Sequence, residues 1–413
     1  MAKRTGSADL PLHRGRVPAW LGQRMSTLGG IIAEAIVHHY GRDAFLERLA
    51  HPFWFQSFGA VMGMDWHSSG ITTSVIGALK RGLASRQDEL GIYVCGGRGK
   101  HSRQTPDELK ALGNRIGIDG DGLTRASRLV AKVDSAAVQD GFDLYLHGFF
   151  VTSDGKWTVV QQGMNEDKRQ ARRYHWHSAA VRDFVNQPHS AIDGPEQGEI
   201  INLTDRRATR AREAQLTLLG DIGPDGIIRE FEALDKEPSA QAELPHLVMP
   251  AHHDVKPKDV FARRLHGTLA AAAERGPIDF PDLLLVPGVG ARTVRSLAMV
   301  AEVVHGTPYR FKDPARFSLA HGGKDRHPYP VPLKIYDETI RVMKRAVQTA
   351  RLGREEELGV LKRLDDQARR LEKVATGPSL DAFIAGERLA SPDLDGRSVF
   401  GWESDLQVKR SSS

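Results

Sequence analysis

The sequence predicts an α+β fold. A mixed α/β domain with a small sheet is expected over residues 1–235. A mostly helical domain follows over 246–350, and a helical and then polar tail over 351–413. Three observations point there. Two runs of apolar, aromatic and β-branched residues, 143–151 and 156–162, flank a turn at Asp154-Gly155, as in a hairpin of strands. Apolar residues recur at helical spacing on either side of them: Ile31, Ile32, Ala35 and Ile36 before, and Val294, Leu297, Ala298, Ala301 and Val304 after. Between the halves, "KEPSAQAELP" at 236–245 reads as a linker.

The elements follow in order. Residues 1–20 read as an extended arm with a basic group at His13, Arg14 and Arg16. Trp20 to about Leu49 is helical, with a break at Gly41 before Phe45 and Leu49. "PFWFQSFGAVMGMDW" at 52–66 is apolar and glycine-rich, as in a buried packed segment, and "ITTSVIGALKRGL" begins a helix. "LGIYVCGG" is a short strand leading into the loop "GGRGKHSRQTPDEL". In that loop Thr105 and Pro106, followed by two acids, make a helix start. "QARRYHWHSAAVRDFV" reads as a helix, or as a strand leading into one; 188–199 is a polar loop, and 205–235 is helical and charged. The tail carries Leu358, Leu361, Leu364, Leu371 and Val374 on one amphipathic helix, a surface for a homodimer or for packing on its own domain.

Composition excludes several classes. Cys95 is the only cysteine, so an internal disulfide, a Cys₄ zinc site and a cysteine-held iron–sulfur cluster are ruled out. A reducing cytoplasm is the expected compartment. The first twenty residues lack the apolar core of a signal peptide. No apolar run reaches the roughly 18 residues that a membrane span needs, so no membrane partner is expected. The formal charge is +5. Between His246 and Ala350 there are 16 Lys and Arg against 10 Asp and Glu, while from Arg351 onward there are 11 against 12. The positive excess therefore sits in one segment, as a nucleic-acid footprint would.

That segment contains "LLLVPGVGARTVRSL". A short helix from Pro281, a Pro-Gly-Val-Gly turn and a second helix resemble the helix-hairpin-helix motif of DNA-repair and recombination proteins. Gly288 and Gly290 would let the backbone approach a phosphate. The amides of Val289, Gly290 and Ala291 would point at it from the positive end of the second helix, and Arg292 and Arg295 would add charge-assisted bonds. Such contacts hold the DNA backbone without reading bases. Base-excision glycosylases resemble this stretch too. Their lyase-type members place lysine at the position of Arg292, and their catalytic aspartate would fall on Asp313. The arginine argues against Schiff-base chemistry, which makes a glycosylase the less favoured alternative.

Histidines beside acids are the candidate metal ligands: Asp65 with His67, His175 with His177, the run His252, His253, Asp254, and His321, Asp325 and His327. Such mixed sets suit Mn²⁺, Fe²⁺ or Zn²⁺, and carboxylates alone suit Mg²⁺. Asp134, Asp143 and His147 lie on or beside the two-strand unit. Asp143 and His147, four apart, would share a face of one strand. Divalent ions held there would stabilise the attacking and leaving oxygens of a phosphodiester. "CGGRGKHSR" offers Gly96, Gly97, Gly99 and Lys100 as an anion cradle, without Walker A spacing. Bland readings stand beside each of these: satisfied structural histidines, polar surface strands, a flexible turn.

Taken together, "ADLPLHRGRVPAWL", "GMDWHSSGITT", "QQGMN", "YHWHS" and "LPHLVMPAHHDV" resemble the bacterial and archaeal domain-of-unknown-function family 763, from about Ala8 to Arg351. The resemblance implies a prokaryotic intracellular protein with a helix-hairpin-helix region. The expected function is a DNA-binding protein with metal-dependent, structure-selective nuclease activity in repair or processing. Asp134, Asp143, His147 and Lys100 would be its catalytic groups, and Mn²⁺ or Mg²⁺, or else Zn²⁺, its cofactor. The alternative is a DNA-binding accessory protein without catalysis.

Overall fold

Long apolar stretches at helical spacing build the amino-terminal layer. Helix α1 (Ala19–Ala50) is kinked at Gly41, where φ is 86°. Helix α2 (Pro52–Val61) is buried at every position; His51 caps it, its Nδ1 accepting the Trp54 amide at 3.4 Å. Helix α3 (Gly70–Leu83) packs on α1 and α2, and the single turn α4 (Gln87–Leu90) leads to strand β1 (Ile92–Arg98). The computed structural model describes residues 17, 19–64, 70–236, 262–315 and 333–349, with a few positions of the tail.

Helix α5 (Lys100–Ile116) begins at Lys100, ahead of the expected start at Thr105, and holds Pro106 inside it. Proline has no amide for the carbonyl of Ser102. The Thr105 hydroxyl donates to that carbonyl instead, at 2.9 Å, which keeps the helix intact. Helix α6 (Gly120–Lys132), capped by Asp119, runs into one π-helical turn at Val133–Ala137 and then β2 (Val138–Gln139).

Strands β3 (Asp143–Thr152), β4 (Trp157–Asn165), β5 (Gln170–His177) and β6 (Ala191–Asp193) complete an antiparallel sheet in the order β1-β3-β4-β5-β6. The stretch after His177 is turn and bend, so β5 does not lead into a helix. The segment expected as a polar loop at 188–199 contains β6 and the first residue of β7 (Glu199–Asn202). One face of the sheet meets α1, α2 and α3. There Gly148 leaves room for Ile76, whose Cδ1 would be 2.6 Å from a Cβ. The other face meets α5 and α6 through Phe149, Val159 and Trp176.

The core on that second face continues into α7 (Thr209–Asp221), α8 (Gly223–Lys236), α9 (Ala262–Arg275), α10 (Phe280–Leu285) and α11 (Ala291–His305) as one cluster. Strand β8 (Arg310–Lys312) pairs with β7, and β7 with β2, in a second antiparallel sheet. The helices after the expected linker thus share a core with the amino-terminal half. Contacts group Ala8–Ala320 as one compact unit, where separate domains over 1–235 and 246–350 were expected. The other unit holds the described residues of the carboxy-terminal part. Its helix α12 (Leu333–Thr349) buries Val342, Met343, Ala346 and Val347 along one face, and β9 (Arg397–Ser398) pairs with β10 (Gly401–Trp402). Most of the expected dimer helix of the tail lies outside the described residues, and its Leu358 is exposed. No described helix is long and apolar enough to cross a membrane.

Gly96 shows how tightly β1 is fitted. Its φ is 84°, and a Cβ there would lie 2.2 Å from the carbonyl oxygen of His147. The left-handed backbone alone costs a non-glycine residue about 1–3 kcal/mol. Gly96→Ala is therefore expected to lower the unfolding free energy by at least that much, read as a lower urea midpoint with the m-value unchanged.

Candidate nucleic-acid interface

Asp279 starts the hairpin: its carboxylate accepts the Asp282 amide at 2.7 Å and caps α10, with Pro281 in the first turn. Val286 leaves the helix with an extended backbone. Gly288 turns the chain at φ 90°, where a side chain would be strained. Helix α11 starts at Gly290, which has no side chain to cap the first-turn amides. Such uncapped amides at the positive end of a helix are where anions bind. Leu283, Leu284, Val286, Val289, Val294, Leu297, Ala298 and Ala301 are buried beneath; Val304, expected on the same face, is 43% exposed.

Two expected contacts sit differently. The Val289 amide closes the turn on the Val286 carbonyl at 3.1 Å, so it does not point outward. Arg295 is 7% exposed and donates through Nε to Gln139 Oε1 at 2.8 Å; burial pulls its pKa down. Gln139 also donates to the Ala291 carbonyl at 2.9 Å, and Lys132 donates to the Val289 carbonyl. The underside of the turn is thereby bolted to the end of α6 and to β2. Pro287, Gly288 and Arg292 remain exposed, and Gly290 and Ala291 half-buried.

Helix α6 extends this surface. Arg125, Arg128 and Lys132, spaced i, i+3 and i+7, share one face. Arg125 pairs with Asp282 of α10 at 2.8 Å, and Lys132 reaches the turn, so the row runs alongside the hairpin. Arg128, between them, is exposed. The spacing is visible in "TRASRLVAK", but nothing in the sequence says that this face lies beside residue 289.

Asp134 and His147 are brought together, by way of Gln161. The Asp134 carboxylate accepts from Gln161 Nε2, from Trp176 Nε1 at 2.9 Å and from His189 Nε2. Gln161 Oε1 then accepts His147 Nδ1–H at 2.6 Å, which leaves His147 Nε2 to accept the Ser127 hydroxyl at 3.0 Å. Asp134, Gln161, His147 and Ser127 are all at most 4% exposed. Three donors around a sealed carboxylate are how a buried charge is satisfied. His189, 55 residues away in sequence, is the partner that sequence reading missed.

Asp143 does not join them. A β-bulge between Leu144 and Leu146 shifts the register, so that Asp143 pairs with Met164 and His147 with Gln161. Their partners are three apart on β4, which puts the two side chains on opposite faces. Asp143 is exposed. Lys100 is exposed as the first residue of α5. The glycine loop before it is largely spent within the fold: the Gly96 amide donates to Glu108 at 2.9 Å and the Gly99 amide to the Tyr145 carbonyl at 2.9 Å. Lys80 pairs with the same Glu108 at 2.7 Å, so a carboxylate of the chain occupies the cradle. Among the described residues, no three His, Cys, Asp or Glu come together as metal ligands. Asp65, His67, His252, His253, Asp254, His321, Asp325 and His327 lie outside the described residues.

Asp313, the glycosylase candidate, is sealed in an ion cluster. Arg172, fully buried, donates to both Asp313 oxygens at 3.0 and 2.6 Å and to Asp140 Oδ2 at 2.8 Å. Tyr174 donates to Asp140 at 2.7 Å, and the amides of Gln197 and Ala315 to Asp313 at 2.7 and 2.9 Å. A carboxylate so placed fastens the chain after β8 onto β5 and has no open side for a base.

The histidines of β5 are also inward. His175 Nδ1–H donates to the Leu49 carbonyl at 3.1 Å, and His177 Nδ1 lies 3.0 Å from the Thr158 hydroxyl. Burial lowers the pKa of His147, His175 and His177, and takes His51 down to about 4. These rings are neutral in the fold and bind protons more readily when it opens. Stability is then complete above about pH 6.5 and is lost as pH falls toward 4. Melting temperatures are expected to be level between pH 7 and 8 and to drop below pH 6.5, with His175→Gln showing a shallower drop.

A sequence model of the family described as "Protein of unknown function (DUF763)" matches residues 6–331, most of the chain. No curated protein and no solved structure matches.

Proposed function

The chain belongs to the DUF763 family of proteins of unknown function, and from that premise we propose that it is a DNA-binding protein that grips the phosphate backbone. One observation carries this reading. An uncapped helix start behind a glycine turn, with Arg292 exposed, lies beside the cationic row Arg125, Arg128 and Lys132 of α6. Amides and arginines aimed at one strip of surface suit phosphates and carry no base code. The partner is DNA chosen by its shape, and the role is in repair or processing in the cytoplasm.

Fluorescence anisotropy with labelled duplex, flap and single-stranded DNA tests the proposal. Binding that is indifferent to sequence supports it; no binding to any of them at low salt sinks it. The nuclease reading from the sequence adds a second arm. Incubation of those substrates with Mn²⁺, Mg²⁺ or Zn²⁺ yields cut products if the protein is a metal-dependent nuclease. If it is a binder alone, every strand stays intact. The sealed setting of Asp134 and His147 favours the binder.

A further inference from the structure

A second polar constellation lies on the sheet face turned toward α2 and α3. Cross-strand register sets Leu146, Gln162, Arg173 and Asp193 in one row, with Arg98 at its β1 end. Arg173 is fully buried. Its Nε donates to the Thr72 hydroxyl at 3.0 Å, one terminal nitrogen donates to Gln56 Oε1 at 2.5 Å, and the guanidinium lies 5.0 Å from the centre of the Phe55 ring. The other terminal nitrogen has no hydrogen-bond acceptor among the described residues; it pairs by charge with Asp193 Oδ2 at 3.9 Å. Beside it on β4, Gln162 accepts the Tyr145 hydroxyl at 2.7 Å, while its own amide nitrogen, also fully buried, has no acceptor among the described residues.

Two neighbouring buried donors without acceptors are rare in a folded protein, because each lost bond costs about 1–3 kcal/mol. Thr72 and Thr73 place the first turn of α3, a helix of 14 residues, over the same row. Its amide dipoles add to the positive field there. Burial falls toward the β1 end of the row. Tyr145 and Thr73 are half-buried, and Arg98 is exposed with its guanidinium 5.6 Å from the Tyr145 ring centre. Cationic and amide donors thus converge inward from Arg98 to Arg173.

We propose that Arg173, Gln162 and the first turn of α3 form a binding site for a phosphate group, entered past Arg98 and Tyr145. Its occupant is inorganic phosphate or the terminal phosphate of a nucleotide strand. A tetrahedral oxyanion would accept from the Arg173 terminal nitrogen that lacks a hydrogen-bond acceptor and from the Gln162 amide together, with the helix start behind them. This site is built apart from the hairpin and does not depend on it.

Isothermal titration of the full chain with inorganic phosphate is the test, with 5′-phosphorylated and 5′-hydroxyl oligonucleotides as further arms. Saturable binding of inorganic phosphate is expected, weakened at least tenfold by Gln162→Met and by Arg98→Ala. Tighter binding of the phosphorylated strand than of its hydroxyl twin assigns the strand end; phosphate alone binding assigns the free anion. The proposal is overturned if neither phosphate nor the phosphorylated strand gives saturable heat, or if Gln162→Met and Arg98→Ala leave the affinity unchanged. Because Arg98 is exposed, its variant keeps the test valid should Gln162→Met fold poorly.

Discussion

Arg172→Met is expected to destabilise the protein by about 3–5 kcal/mol, the usual consequence of removing one partner from a buried ion cluster. The guanidinium is fully buried between Asp140 and Asp313. Burial alone would lower its pKa, but the two carboxylates outweigh it and raise the value. Without it both acids are left facing each other in the interior. Burial already raises the pKa of Asp140, and Arg172 works against that rise. In the variant the Asp140 carboxyl, without that opposition, takes up a proton to stay folded. Its folded-state pKa then lies above the unfolded one, so the variant's deficit grows as pH rises and shrinks in acid. Urea titrations at pH 5.5 and 8 check both points. Adding Asp140→Asn and Asp313→Asn to Arg172→Met is expected to restore part of the loss, because the unpaired charges go with it.

The second large effect concerns the proposed DNA surface. Charge reversal of Arg128 and Arg292 together is expected to weaken DNA binding at least tenfold, and equally for unrelated sequences, because phosphate contacts carry no sequence term. Arg295→Ala makes the contrast. Arg295 is inside, against Gln139, so its loss is expected to lower stability and leave the salt dependence of binding untouched. Anisotropy and thermal melting on the three proteins separate the two roles. If Arg295→Ala reduced the salt dependence as strongly as the double reversal, the assignment of outward and inward arginines would be wrong.

Much of the fold was legible because it rests on local pattern. The strands at 143–152 and 157–165, the kink at Gly41, the buried segment from Pro52 and the two hairpin helices all follow from periodicity and turn chemistry. What was not legible came from tertiary contact. The bulge beside Tyr145 inserts one residue, and that single step moves Asp143 to the face opposite His147. Pro106 looks like a helix start, yet the Thr105 hydroxyl serves the carbonyl it leaves open. Arg292 and Arg295 are three apart and look equivalent. Only the presence of Gln139 beneath the hairpin turns one inward. His189 joins Asp134 across 55 residues, a pairing no spacing rule contains. The cationic row on α6 was readable as a helix face, but its place beside the Val289 carbonyl was not.

The hairpin and α6 are proposed to hold a phosphate backbone together. Measuring duplex affinity against salt tests this directly. Each phosphate contact on B-DNA contributes about −0.9 to the slope of log Kobs against log salt. The wild-type protein is expected to show a slope steeper than about −2, and the Arg128→Glu/Arg292→Glu variant one shallower by roughly 2. A wild-type slope near zero, or the same slope in both proteins, would contradict the claim.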